Sequence, residues 1–133
     1  MTLRTASCSC GQLRIACEGE PVRISICHCL ECQKRTGSVF AAQARYPREA
    51  VTTEGDAVHW SRRGDSGGSA TFSFCPVCGS TVYWTPDFAP GSIIVAVGAF
   101  ADPTFPPPHV SVYEERRHFW ALDGSKIHLG QER

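Results

Sequence analysis

Cys8-Ser9-Cys10-Gly11 near the start of the chain and Cys75-Pro76-Val77-Cys78-Gly79 roughly 65 residues later are the two halves of one pattern. Each is a pair of thiols on a short loop, the arrangement structural zinc sites use, and four thiolates close a tetrahedral shell. A glycine follows each pair, where positive φ lets the backbone turn its amides toward the sulfurs. Joining an N-terminal strand to a distant turn closes a long loop, so a metal clip there stabilises the fold strongly. Buried free thiols or two disulfides are the alternative reading of these four residues.

Cys27-His28-Cys29-Leu30-Glu31-Cys32 supplies three more thiols, so that seven of the 8 cysteines fall into metal-like spacing. Cys27 and Cys29 stand at i and i+2 at the end of an extended segment, which sends both thiols to one face and His28 to the other. Three thiolates leave one coordination position open. Three readings stand here: an open catalytic zinc, a closed site completed by His28, Cys17, His109 or His118, and a redox-active thiol pair. An electron-rich trithiolate site suits sulfur exchange better than water activation, because an entering thiol is deprotonated by the ion.

Around these clusters the chain reads as nearly all β. Leu13, Ile15 and Cys17 alternate with polar or small neighbours, as do Val22, Ile24 and Ile26, and Glu18-Gly19-Glu20-Pro21 is expected to be the hairpin turn between them. Further strands are expected over 39–46, 70–74, 80–84, 92–97 and 110–113, with Gly and Pro punctuating the gaps. The Gly-rich segment 62–69 reads as a mobile loop. Ala101 to Pro108, with four prolines, reads as a stiff extended crossing rather than a helix. For 114–122 a helical turn and a continued strand compete, and the aromatics Phe119 and Trp120 favour strand. Cys17 shares the phase of Leu13 and Ile15 and is expected to be a buried small hydrophobe.

A length of 133 residues, with 42% hydrophobic and 20% charged residues, fits one domain over 1–133. The first residues lack the apolar core of a signal peptide and no apolar run is long enough to span a bilayer, so a cytoplasmic protein without membrane partners is expected. In a reducing compartment clustered cysteines are more often ligands than disulfides. Net charge is +0 and the basic residues occur only as short groups, which argues against nucleic acid as a partner. No Ser/His/Asp set and no phosphate-cradling glycine loop is present.

Taken in order, Cys8-Ser-Cys-Gly, Cys27-His-Cys-Leu-Glu-Cys-Gln-Lys-Arg-Thr-Gly-Ser38 and Phe74-Cys-Pro-Val-Cys-Gly-Ser80 resemble the glutathione-dependent formaldehyde-activating enzyme family, which also includes centromere protein V. The resemblance spans most of the chain. It implies an Mss4-like fold of coiled antiparallel β-sheets, stabilised by zinc. It also implies two zinc ions per chain, a structural one on Cys8, Cys10, Cys75 and Cys78 and a more exchangeable one on Cys27, Cys29 and Cys32. The implied activity is that of a carbon–sulfur lyase on small thiol–aldehyde adducts such as S-hydroxymethylglutathione, made from formaldehyde and glutathione. A non-catalytic zinc module that recognises a protein partner is the competing expectation.

Gln33, Lys34, Arg35, Thr36 and Ser38 follow the open cluster directly. Lys34 or Arg35 is a candidate for a substrate carboxylate and Thr36 or Ser38 for a hydrogen bond near the metal, against the alternative that Thr36-Gly37-Ser38 is only a turn. Trp60, Trp84 and Trp120 are candidates for pocket walls, although aromatics in a β-rich domain more often belong to the core.

Overall fold

The computed structural model describes residues 2–64 and 67–122. Among these residues ten strands form two sheets, and one short α-helix lies between the third and fourth strands. The smaller sheet has the order β1 (Leu3–Ser7), β2 (Arg14–Glu18), β5 (Val51–Glu54) and is antiparallel throughout. In the seven-stranded sheet the order is β10 (Val110–Val112), β3 (Arg23–Cys27), β4 (Ala41–Pro47), β9 (Ser92–Ala96), β8 (Thr81–Pro86), β7 (Ser69–Phe74), β6 (Val58–Arg63). Its pairs are antiparallel except β10, which lies parallel to β3. The mostly β fold is thus the one expected. No helix of the described residues is long and apolar enough to cross a membrane.

Period-two alternation gives the large sheet two different faces. Ile24, Ala44, Tyr46, Ile93 and Val95 point toward the small sheet, where they meet Ala6, Leu13, Ile15 and Cys17 with Phe100 and Phe105 in one buried core. Each fully buried Leu, Ile or Val there contributes about 1.5–3 kcal/mol. Cys17 is completely buried in that core, as its strand phase required, and burial pushes its thiol up to about 12.

The opposite face of the large sheet carries a row that crosses it residue by residue: Arg23 pairs with Arg45, Arg45 with Ile94, Ile94 with Trp84, Trp84 with Phe72 and Phe72 with Trp60. A register shift between Ser73 and Phe74 absorbs one extra residue in β8. This second face is where the functional geometry lies.

Several expectations need correction. Residues 18–21 do not close a hairpin, because β2 pairs with β1 and β5 while β3 pairs with β4 and β10. Gly19, at φ +80°, turns the chain from one sheet into the other. The segment after Cys29 is a seven-residue helix, α1 (Leu30–Thr36), ended by Gly37 at φ +74° with its N–H on the Gln33 carbonyl. Residues 114–122 are not strand: Glu114–Arg116 form a 3-10 turn and Phe119 is exposed. Within 62–69, Arg62 and Arg63 belong to β6 and Ser69 begins β7, while Asp65 and Ser66 lie outside the described residues. Residues 101–108, by contrast, contain no helix, as expected, and lead the chain to the edge strand β10.

Candidate metal centres and the arginine-lined cavity

The sulfurs of Cys8, Cys10, Cys75 and Cys78 all lie within 4.8 Å of one another. Cys10 Sγ is 3.6 Å from Cys8 Sγ and 3.7 Å from Cys75 Sγ. Sulfurs bound at about 2.3 Å to one zinc sit about 3.8 Å apart at the corners of a tetrahedron, whereas a disulfide needs about 2 Å. The donor set and its spacing therefore fit a structural zinc. Gly11 and Gly79 adopt φ of +88° and +82°, and their amides bond back to the Cys8 and Cys75 carbonyls to close the two knuckles. Leu13 N donates to Cys8 Sγ at 3.3 Å and Val77 N to Cys75 Sγ at 3.3 Å. Hydrogen bonding by the Ser80 hydroxyl and backbone draws the Cys78 thiol down to about 5.

A residue missed in the sequence completes this centre. The Gln12 side chain donates from Nε2 to Cys75 Sγ at 3.0 Å and to the Asp56 carbonyl at 2.8 Å, and its Oε1 accepts from Asp56 N at 2.8 Å. One amide thereby fastens the loop after β5 to a metal-type sulfur. Only long-range contact reveals it. Nothing in the local pattern around Gln12 marks it.

Cys27, Cys29 and Cys32 form the second group, again with sulfurs within 4.8 Å, and all three are buried. Cys27 ends β3; Cys29 is the N-cap of α1, its sulfur accepting from Cys32 N at 3.3 Å; Cys32 lies one turn into the helix. Strand end, cap and first turn thus aim three thiols at one point. Hydrogen bonds from Cys27 and Cys32 draw Cys29 down to about 2, while the same contact and burial hold the Cys27 thiol well above its usual value. Three thiolates this close repel one another, so all three ionise together only around a cation.

Among the described residues no fourth ligand joins this group. His28 is fully buried on the other side of the strand, its Nε2 3.2 Å from Ser111 Oγ and 3.6 Å from Glu114. Cys17 belongs to the core between the sheets. His118 bonds through Nε2 to Gln33 Oε1 at 3.1 Å, and His109 is exposed.

The three thiols open onto a cavity of about 230 Å³ on the second face of the large sheet. Its floor follows the strand period: Arg23, Ser25 and Cys27 from β3, Gln43 and Arg45 from β4, Trp84 from β8, Phe72 from β7 and Arg62 from β6. Arg35 reaches in from α1, its guanidinium 4.2 Å from the centre of the Trp84 ring, 5.0 Å from that of Phe72 and 3.9 Å from Cys32 Sγ. Burial lowers its pKa, and the Cys32 charge works against that shift.

Of Gln33, Lys34, Arg35, Thr36 and Ser38, Arg35 alone lines the cavity. Lys34 pairs with Glu31 at 3.6 Å on the helix surface. Gln33 Nε2 donates to the His28 and Arg116 carbonyls, which ties α1 to the segment after β10. Thr36 Oγ1 donates to the Cys32 carbonyl at 2.8 Å and accepts from Ser38 N at 3.0 Å, closing the helix end. Trp84 is a buried cavity wall, whereas Trp60 is 55% and Trp120 38% exposed. Arg23, Arg45 and Arg62 were not foreseen, because they are dispersed over three strands that only the sheet brings together.

Comparison with known proteins agrees with this architecture. Residues 3–116 match the model of the glutathione-dependent formaldehyde-activating enzyme family. The fold is similar to the crystal structure of a Rhodobacter sphaeroides protein, a structural genomics target, with a TM-score of 0.59 and 20% identity over 80% of this chain and 97% of that one. At that identity the likeness is one of fold. No curated protein matches the chain. The family match runs through both cysteine groups and nearly all the described residues, and the chain belongs to the glutathione-dependent formaldehyde-activating enzyme family.

Proposed function

We propose that this protein is a zinc-dependent carbon–sulfur lyase-type enzyme that forms or cleaves adducts between a small aldehyde and a thiol, S-hydroxymethylglutathione being the type of compound. In this reading residues 1–133 act as one domain with two zinc ions, a structural one on Cys8, Cys10, Cys75 and Cys78 and an exchangeable one on Cys27, Cys29 and Cys32. The observation that supports it most is the position of the open three-thiol group, in the wall of a cavity that also carries four arginines.

Cys27, Cys29 and Cys32 would hold the zinc, which would supply Lewis-acid chemistry that favours the thiolate form of a substrate sulfur. The chain's own residues do the rest. Phe72, Trp84 and Ile94 make an apolar wall that keeps water from the reacting sulfur. Arg35, held against the Trp84 ring beside Cys32, faces the negative charge that develops on the aldehyde oxygen. Formation joins the thiol sulfur to the carbonyl carbon and the thiol's proton ends on the oxygen; cleavage reverses both transfers. The free thiol state of all eight cysteines suits a reducing compartment such as the cytoplasm.

The test is Cys29→Ser against wild type, assayed for S-hydroxymethyl thiol formation and cleavage over several thiols, with metal content measured alongside. The variant is expected to keep its fold and one zinc while losing turnover by on the order of 100-fold. Equal rates, or no activity in zinc-replete wild type with any thiol and aldehyde, would turn the reading to a non-catalytic zinc module.

A further inference from the structure

The cavity has a charged end that the sulfur chemistry does not use. Arg23 on β3 and Arg45 on β4 stand directly opposite each other in the sheet register and both line the cavity. Like charges opposed across two strands are destabilising, and among the described residues neither arginine has a carboxylate partner. The Nε atoms of both are buried without a hydrogen-bond partner. No Asp or Glu lines the cavity among the described residues. The Arg45 guanidinium carbon lies 5.5 Å from the centre of the Phe88 ring, a cation–π contact rather than an ion pair. Burial, and then the charge of Arg23, lowers the Arg45 pKa, the sign expected of a cation held beside another cation.

Distance separates this pair from the thiols. Arg23, Ser25 and Cys27 share one face of β3, so Arg23 and Cys27 are about 13 Å apart along the strand at about 3.3 Å per residue. Between them lie Ser25 and Gln43, paired in register, with Gln43 Nε2 donating to Ser25 Oγ at 3.3 Å. The route from the thiols to the arginine pair is therefore lined by neutral hydrogen-bonding groups suited to amides.

We propose that Arg23 and Arg45 form a distal anion subsite, which binds a terminal carboxylate or phosphate on an elongated, amide-containing thiol whose sulfur lies at Cys27, Cys29 and Cys32. The sulfur end rests on the function proposed above; the arginine end rests on its own geometry. Two guanidinium forks with free donors can take one oxyanion bidentately from both strands. Short thiols without a remote anion leave the pair uncompensated, so the subsite selects for length as well as charge.

Binding to the zinc-loaded protein, read by titration calorimetry, tests this without turnover. The probes are glutathione against its diethyl ester, and 4′-phosphopantetheine against pantetheine. Wild type is expected to favour at least one anionic member over its neutral partner by about tenfold, the equivalent of one charge-assisted contact. Which pair discriminates identifies the anion as carboxylate or phosphate. Arg23→Met and Arg45→Met should each bring that preference to within about twofold with neutral-probe affinity unchanged, and Arg45→Lys should keep part of it. Absence of a preference in wild type, or a preference that survives both methionine substitutions, overturns the subsite. An arginine-dependent preference in a protein with no lyase turnover would leave the subsite standing and remove the lyase reading. Turnover indifferent to the distal charge would do the reverse.

Discussion

The two thiol groups of this protein use the same side chain for opposite ends. Cys8, Cys10, Cys75 and Cys78 come from chain segments 65 residues apart, bring four sulfurs within 4.8 Å of one another, and have Cys10 exposed on a loop. Cys27, Cys29 and Cys32 come from one strand end and one helical turn, are all buried, and face a cavity lined by cations. The first group ties distant parts of the chain together and offers four thiols, enough to fill a tetrahedral shell. The second ties nothing distant and offers only three thiols, one fewer than a tetrahedral shell takes. A metal contributes folding energy where it closes a long loop, and chemistry where it keeps a position for a substrate.

That contrast breaks most visibly if the first group is opened. Cys75→Ser removes the ligand that accepts from Gln12, Val77 and Cys78, so it is expected to release the zinc and cost several kcal/mol, enough to unfold much of the population at 37 °C. Metal content and a thermal melt check this. Retention of both zinc ions with an unchanged melt would mean that the group is no clip.

A smaller effect is expected one step away. Gly55 sits at φ +99°, and a Cβ there would lie 2.0 Å from the Gln12 carbonyl oxygen. Gly55→Ala is expected to destabilise by more than about 2 kcal/mol, through backbone displacement and left-handed strain together. The loss should include protection of the Asp56 amide from hydrogen exchange, because that amide bonds to Gln12. A wild-type exchange rate at Asp56 would show that the loop after β5 does not support the metal group.

Smaller again is Gln12→Ala, which leaves the backbone alone and removes one donor to Cys75. A cost of about 1–3 kcal/mol is expected, together with faster zinc loss to a chelator from the first group and no change at the second. Equal acceleration at both would erase the separation between the two centres.

Much of this contrast was legible in the residues themselves. Spacing gave both groups, the glycines after Cys10 and Cys78 marked the knuckle turns, and alternation in Leu13 to Cys17 and Val22 to Ile26 found β2 and β3. What it did not give was partnership. A Gly-Pro turn between two alternating runs reads locally as a hairpin, yet β2 and β3 belong to different sheets, a choice made by long-range pairing. Helix α1 is too short to show a period, with Cys32 its one buried residue, and its cap is a thiol rather than a hydroxyl or carboxylate. Edge strands β5 and β6 are mostly exposed and lack alternation. The arginine cavity was hidden for the same reason as the sheet order: Arg23, Arg35, Arg45 and Arg62 become neighbours only once the four elements that carry them, β3, α1, β4 and β6, are assembled.

The central claim is that Cys27, Cys29 and Cys32 hold a metal with one position open to a substrate sulfur while the other four thiols do not. Replacing both zinc ions by cobalt and titrating with thiol tests it directly, since sulfur-to-cobalt charge-transfer absorption rises with the number of bound thiolates. The account predicts a saturable rise equivalent to one added sulfur in wild type, with the absorption of the four-thiol group unchanged, and no rise in Cys29→Ser, whose four-thiol group stays filled. A spectrum indifferent to thiol in wild type, or the same rise in Cys29→Ser, would contradict it.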